Sequence, residues 1–118
     1  MSGIAGKGPL KAIRWIEHAA VVDVAGDIDL NTSPEFQQGL LRVLDRRPGK
    51  LVVNLAGVMY MDSSGVASLV KMLSRARRTG AAMCLASMTD RVRDIFEITR
   101  LDRVFDIYPT EQEALASA

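Results

Sequence analysis

Two rhythms of apolar and polar positions run along this chain, one of period two and one close to 3.6, and they divide it into nine elements. Residues 11–16 alternate weakly and read as a first strand; residues 20–25, Ala-Val-Val-Asp-Val-Ala, read as a second. Only a short break at Glu17 and His18 separates them, which forces an antiparallel hairpin. A polar loop from Gly26 to Ser33 then closes into a helix. Thr32 and Glu35 there have the spacing of a capping box, and Pro34 suits a first turn. Phe36, Leu40, Val43 and Leu44 form the apolar face of this helix, which ends at about Arg46, before Pro48-Gly49.

Residues 50–55 predict a third strand, and a turn leads from it into a second helix. Val66, Leu69, Val70 and Leu73 fall at i, i+3, i+4 and i+7 and are expected to face the sheet, with Ser68, Arg75 and Arg78 nearer water. Thr79-Gly80 closes this helix, with Gly80 as a left-handed cap. Residues 81–86 predict a fourth strand. Thr89-Asp90 starts a third helix with Val92, Ile95, Phe96 and Thr99 on one face. Residues 104–108 predict a short fifth strand, and Thr110 caps a last helix over residues 111–116, with Glu113 in capping-box position. The order β-β-α-β-α-β-α-β-α predicts an α/β domain, a mixed β-sheet with helices packed against it.

Chemistry concentrates at the turn from the third strand into the second helix, Met61-Asp62-Ser63-Ser64-Gly65. Asp and Ser can accept hydrogen bonds there from the orphan N–H groups of the first helical turn. The positive end of the helix dipole points at the same spot and favours a carboxylate or a phosphate. Ser63 is therefore either a cap or a serine placed where added negative charge is tolerated.

Composition narrows the class. The 118 residues are enough for one domain with its own core, and 48% hydrophobic with 25% charged residues describe an ordered globule. Residues 1–10 are expected to form a flexible tail, without the apolar core of a signal peptide, and residues 11–118 the single domain. A net charge of +1 gives no general attraction to nucleic acid or to an anionic membrane, and no apolar run approaches the roughly 18 residues of a membrane span. Cys84 is the only cysteine, so neither an internal disulfide nor a cysteine-built metal site is expected; mid-strand, it reads as a small buried hydrophobe. A cytoplasmic protein without cofactor or metal is the expectation.

Several constellations have a plain alternative. Arg42, Arg46 and Arg47, like Arg75, Arg77 and Arg78, fall in the last turns of their helices, where cations complement the dipole, and no aromatic platform accompanies them. Asp27, Asp29 and Asn31 alternate like calcium-loop ligands, but the sixth position is Thr32 rather than Gly and the twelfth is Gln38 rather than Glu. They read instead as a polar loop presenting carboxylates to a partner or to the helix that follows. A serine hydrolase would need a base near Ser63, and the elbow Gly-x-Ser-x-Gly is missing; the only histidine, His18, falls in the first hairpin turn.

Residues 53–66, Val-Asn-Leu-Ala-Gly-Val-Met-Tyr-Met-Asp-Ser-Ser-Gly-Val, resemble the signature of bacterial anti-sigma factor antagonists, the stand-alone members of the sulfate-transporter and anti-sigma-antagonist (STAS) domain family. Gly26-Asp27-Ile28-Asp29 with Thr32 resembles the family's loop before its first helix, and residues 92–105 resemble its third helix and last strand. The resemblance covers residues 11–116 and implies a STAS-like sheet and a switch rather than an enzyme. It places the phospho-acceptor at Ser63, directly after the Asp, and a helix cap at Ser64, within a switch loop of Asp62, Ser64 and Gly65. It implies that Asp27, Asp29, Asn31, Met61 and Ser63 meet the partner. The implied partners are an anti-sigma factor that is also a serine kinase, bound by the unphosphorylated form so that a sigma factor is freed, and a phosphoserine phosphatase that resets the switch. Neither nucleic acid nor membrane is contacted directly. The alternative is a STAS adaptor or small-ligand-binding domain of a transporter or signalling assembly, without a phospho-switch. Two departures stand out: Arg100 where many members have a helix-ending Gly, and Ala67-Ser68 in place of a Gly-containing step.

Overall fold

Strand β1 (Leu10–Ile16) turns back through Glu17 and His18 into β2 (Ala19–Ile28), and the two pair antiparallel as the short connection requires. Every later strand pairs parallel: β3 (Lys50–Met61) on β2, β4 (Ala82–Ala86) on β3 and β5 (Asp106–Tyr108) on β4, giving the sheet order β1-β2-β3-β4-β5. Helices α1 (Ser33–Asp45), α2 (Ser63–Thr79) and α3 (Asp90–Ile98) make the parallel crossovers, and α4 (Glu111–Ala116) follows β5. This is the mixed sheet with packed helices that the pattern predicts. The computed structural model describes residues 8–117. Most of the expected tail, residues 1–7, lies outside the described residues. Its end does not: Leu10 is buried in β1, and the carbonyl of Pro9 accepts the N–H of Ala25 at 2.9 Å.

Alternation along the strands builds two cores. Val22, Leu51, Val53 and Leu85 face α1, α2 and α3 and pack with Phe36, Leu40, Leu69 and Phe96 into the main cluster. Val21, Val52, Cys84 and Ala86 face the other way and are covered by Ala114 of α4, with Leu115 and Tyr108 alongside. Phe96 and Phe105 meet edge to face, ring centroids 5.6 Å apart. Cys84 is buried and free, and His18 is exposed in the hairpin turn, both as expected.

Four local expectations are corrected. β2 and β3 run on to Ile28 and Met61, beyond the expected ends at 25 and 55, because each supplies the other's backbone partners through irregular pairs such as Asp27 with Tyr60 and Ile28 with Met61. The buried stripe of α2 is Gly65, Ser68, Leu69, Met72, Leu73 and Ala76; Val70 is 40% exposed and Ser68 only 4%. Thr32 makes no capping box with Glu35, its hydroxyl being spent inside the preceding loop. Finally, a single 3-10 turn (Leu101–Arg103) runs into a bend at Val104 and Phe105, so the expected fifth strand starts only at Asp106 and shortens to three residues.

Three further caps follow the sequence. Gly80 closes α2 at φ +81°, Thr89 accepts the N–H of Val92, and Thr110 that of Glu113. Arg100, at the position of the departure, takes the left-handed conformation itself, φ +62°, so the chain leaves α3 through the geometry a glycine would supply.

Candidate functional site

The extended ends of β2 and β3 bring two loops together. The N–H of Asp62 donates to the carbonyl of Ile28 at 3.0 Å, so the first turn of α2 begins beside the loop that leads into α1. Asp62, in extended conformation, is the N-cap: its Oδ1 accepts from the N–H of Ser64 at 2.8 Å and of Gly65 at 3.4 Å. The cap expected at Ser64 is therefore one residue pair earlier, because a carboxylate satisfies two orphan donors and meets the positive helix end with a full charge. Ser64 is half-buried and uses its carbonyl, which accepts from Ser68 Oγ at 3.0 Å.

Ser63 is the first residue of α2 and is exposed. Gly65 explains how the turn stays so close to the sheet. A Cβ there would lie 2.6 Å from Met61 Cγ and 2.7 Å from Ile28 Cγ2, so only glycine lets the helix start against these two side chains. Ser63 is thus a hydroxyl displayed on a rigid mount.

The β2–α1 loop folds on its own aspartate. Asp29 Oδ1 accepts the N–H groups of Asn31 at 2.9 Å and Thr32 at 3.0 Å, while Thr32 Oγ1 accepts the N–H of Asp29 at 2.9 Å and donates to the carbonyl of Asp27 at 2.8 Å. Asp29 is half-buried rather than exposed, and its Oδ1 shapes the loop. These bonds engage one of the side-chain oxygens that a calcium loop would need, Asp29 Oδ1, and among the described residues no group of three or more His, Cys, Asp or Glu could hold a metal ion.

Of the other expected partner contacts, Asp27 and Asn31 are exposed, whereas Met61 is only 1% exposed and belongs to the core. Strand alternation is the reason: Met61 turns in with Ile28, so Tyr60 turns out beside Asp27. Sequence reasoning missed three exposed apolar side chains here, Leu30 (73%), Met59 (58%) and Tyr60 (48%). No local signal marked Tyr60, because its outward turn depends on the continuation of β3 to Met61 alongside β2. His18 lies at the opposite end of β2, about 30 Å away at roughly 3.3 Å per strand residue, and offers Ser63 no base.

Comparison with known proteins agrees with this architecture. The family model described as STAS domain matches residues 11–114. Two similar proteins are anti-sigma-B factor antagonists: one from Bacillus subtilis is 29% identical over 95 residues, covering 80% of this chain and 86% of its own. The other, from Staphylococcus aureus, is 32% identical over 80 residues, covering 68% and 74%. The crystal structure of an anti-sigma factor antagonist from Mycobacterium paratuberculosis superposes with a TM-score of 0.82 at 26% identity, over 98% of this chain and 96% of that one. The Bacillus cell fate determinant SpoIIAA in its phosphorylated form shares the fold, with a TM-score of 0.67 at 17% identity over 87% and 94%.

Proposed function

The chain belongs to the STAS domain family, and on that premise we propose that it is an anti-sigma factor antagonist switched by phosphorylation of Ser63. The unphosphorylated form binds an anti-sigma factor that is also a serine kinase, which frees the sigma factor; the phosphorylated form releases that partner until a phosphatase resets it. The work is done in the cytoplasm by binding rather than catalysis. The observation that carries the reading is the exposed hydroxyl of Ser63 at the first position of α2, next to the capping carboxylate of Asp62.

The chemistry follows from that position. The kinase transfers a phosphoryl group from a nucleoside triphosphate to Ser63 Oγ, whose proton passes to a base of the kinase. The product carries about −1.5 to −2 charges and three acceptor oxygens. The Asp62 carboxylate already occupies two N–H donors of the helix end, so the new charge has fewer of them to meet and an anion beside it. A docked face shaped around a small neutral hydroxyl, with Leu30, Met59 and Tyr60 supplying apolar contact, then faces bulk and like-charge repulsion. A misfit of about 1.4 kcal/mol already weakens binding tenfold.

Incubation with the partner kinase and ATP, followed by intact mass measurement and peptide mapping, tests this. One phosphate on Ser63 is expected. Ser63→Ala binds the partner constantly and takes no phosphate, Ser63→Asp binds poorly yet melts close to the parent chain, and Ser64→Ala is still phosphorylated. Phosphate on Ser64, or on neither serine, overturns the proposal.

A further inference from the structure

Helix α2 carries a charge that its first turn does not use. Along its 17 residues it holds Lys71, Arg75, Arg77 and Arg78 and no carboxylate, in a protein of net charge +1. Lys71, Arg75 and Arg78 fall at i, i+4 and i+7 and so stand in one row. With Ser74 and the buried Met72 at its floor they line one side of a groove of about 270 Å3; Gln37 and Leu41 of α1 line the other. All three cations are exposed, and among the described residues the only ion pairs are those of Arg14, on the opposite face of the sheet. The helix dipole accounts for arginines in the last turn, but its effect has faded two turns earlier, at Lys71.

We propose that this groove docks an acidic segment of another polypeptide, with carboxylates about one helical turn apart. The spacing selects the occupant. Seven residues at 1.5 Å each spread the three cations over about 10 Å, whereas a lone phosphate or a small dicarboxylate needs donors that converge on one point. A row of cations matches a row of carboxylates along one chain, and the half-buried Leu41 offers that chain an apolar contact across the groove. No aromatic side chain lines the groove, so it lacks the stacking platform a single-stranded nucleic acid would use. The site is separate from Ser63 and does not depend on phosphorylation.

The probe is an alanine-rich helical peptide bearing Glu at i, i+4 and i+7, with a Gln counterpart as control, each titrated into the isotope-labelled full chain and followed by amide NMR shifts. Shifts confined to Lys71–Arg78 and to Gln37 and Leu41 are expected with the Glu peptide, none with the Gln peptide, and a decline as salt is raised. Lys71→Glu with Arg75→Glu weakens binding by at least about tenfold; Lys71→Gln with Arg75→Gln, which only neutralises the two exposed cations, gives a smaller loss. Equal response to the Gln peptide, shifts centred elsewhere, or more effective displacement of the peptide by inorganic phosphate or by a single-stranded oligonucleotide overturns the proposal.

Discussion

Gly65 controls how closely the switch helix approaches the sheet. Its missing Cβ leaves space already filled by Met61 and by the β-branched, stiff Ile28, so neither neighbour yields cheaply. Gly65→Ala is expected to destabilise the fold by about 1–3 kcal/mol, as overpacking of a tight core does; a denaturant midpoint at or above that of the parent chain would show that the turn can relax. At this scale the sequence was legible in outline. It located Asp62 to Gly65 as the site, because an Asp-Ser-Ser-Gly run between a strand and an amphipathic helix has few other uses. It could not choose among Asp62, Ser63 and Ser64 as the cap, since all three are good capping residues and only the backbone decides which one lies just outside the helix. Asp29 was illegible for a related reason: an aspartate in a polar loop suits a partner or its own backbone equally well, and only the bonds to Asn31 and Thr32 distinguish them.

At the level of elements, α2 shows how one period can support two faces. Residues 66, 69, 70 and 73 have helical spacing, and so do 65, 69, 72, 73 and 76, the buried set apart from Ser68. The first set was preferred because Gly65 and Ala76 do not register as apolar anchors, yet small residues are what let the helix lie close to the strands. Leu69→Ala should therefore cost about 2–5 kcal/mol, whereas Val70→Ala should change stability by less than about 0.5 kcal/mol. Urea melts of the two variants would discard this face if Val70→Ala proved as damaging as Leu69→Ala. The ends of β2 and β3 were hidden for a different reason. Ala56 and Gly57 interrupt the apolar run, and the strand continues past them only because β2 lies alongside, a tertiary influence that no local window contains. That continuation fixes Met61 inward and Tyr60 outward, and with them the outline of the docking face.

Across the whole molecule, the two sheet faces are secured differently. Three helices bury a broad apolar core on one side, while α4, six residues long, covers the other with a small cluster and with polar clamps at both ends. At its start Glu111 bonds Arg14 at 3.0 Å and Asn54 at 2.9 Å, and Arg14 also grips Asp23 at 2.8 Å, which ties β1, β2 and β3 to the helix. At its end Lys50 Nζ donates to the carbonyls of Ala114 and Ser117. The hydrogen bond from Arg14 holds the Glu111 carboxyl below its ordinary value of 4.5, with Asn54 adding to the effect against the opposing cost of burial. A lowered carboxyl stabilises the fold fully above that ordinary value and loses the contribution as pH falls through the lowered one. Glu111→Gln should thus melt below the parent chain at neutral pH, with the gap closing as pH drops below about 4.5; a gap independent of pH would assign the loss to packing alone.

A helix this short has little stability of its own once its clamps let go. Beneath it lies Cys84, buried in the same cluster as Ala114, with its thiol pushed up in pKa by that burial. The arrangement makes Cys84 a natural clock. An alkylating reagent reaches the sulfur when α4 lifts, so the labelling rate of the resting protein counts those moments at a native residue, with no label engineered in. Glu111→Gln should run this clock faster than the parent chain under native conditions, while Val70→Ala, on the far face, should leave its pace unchanged.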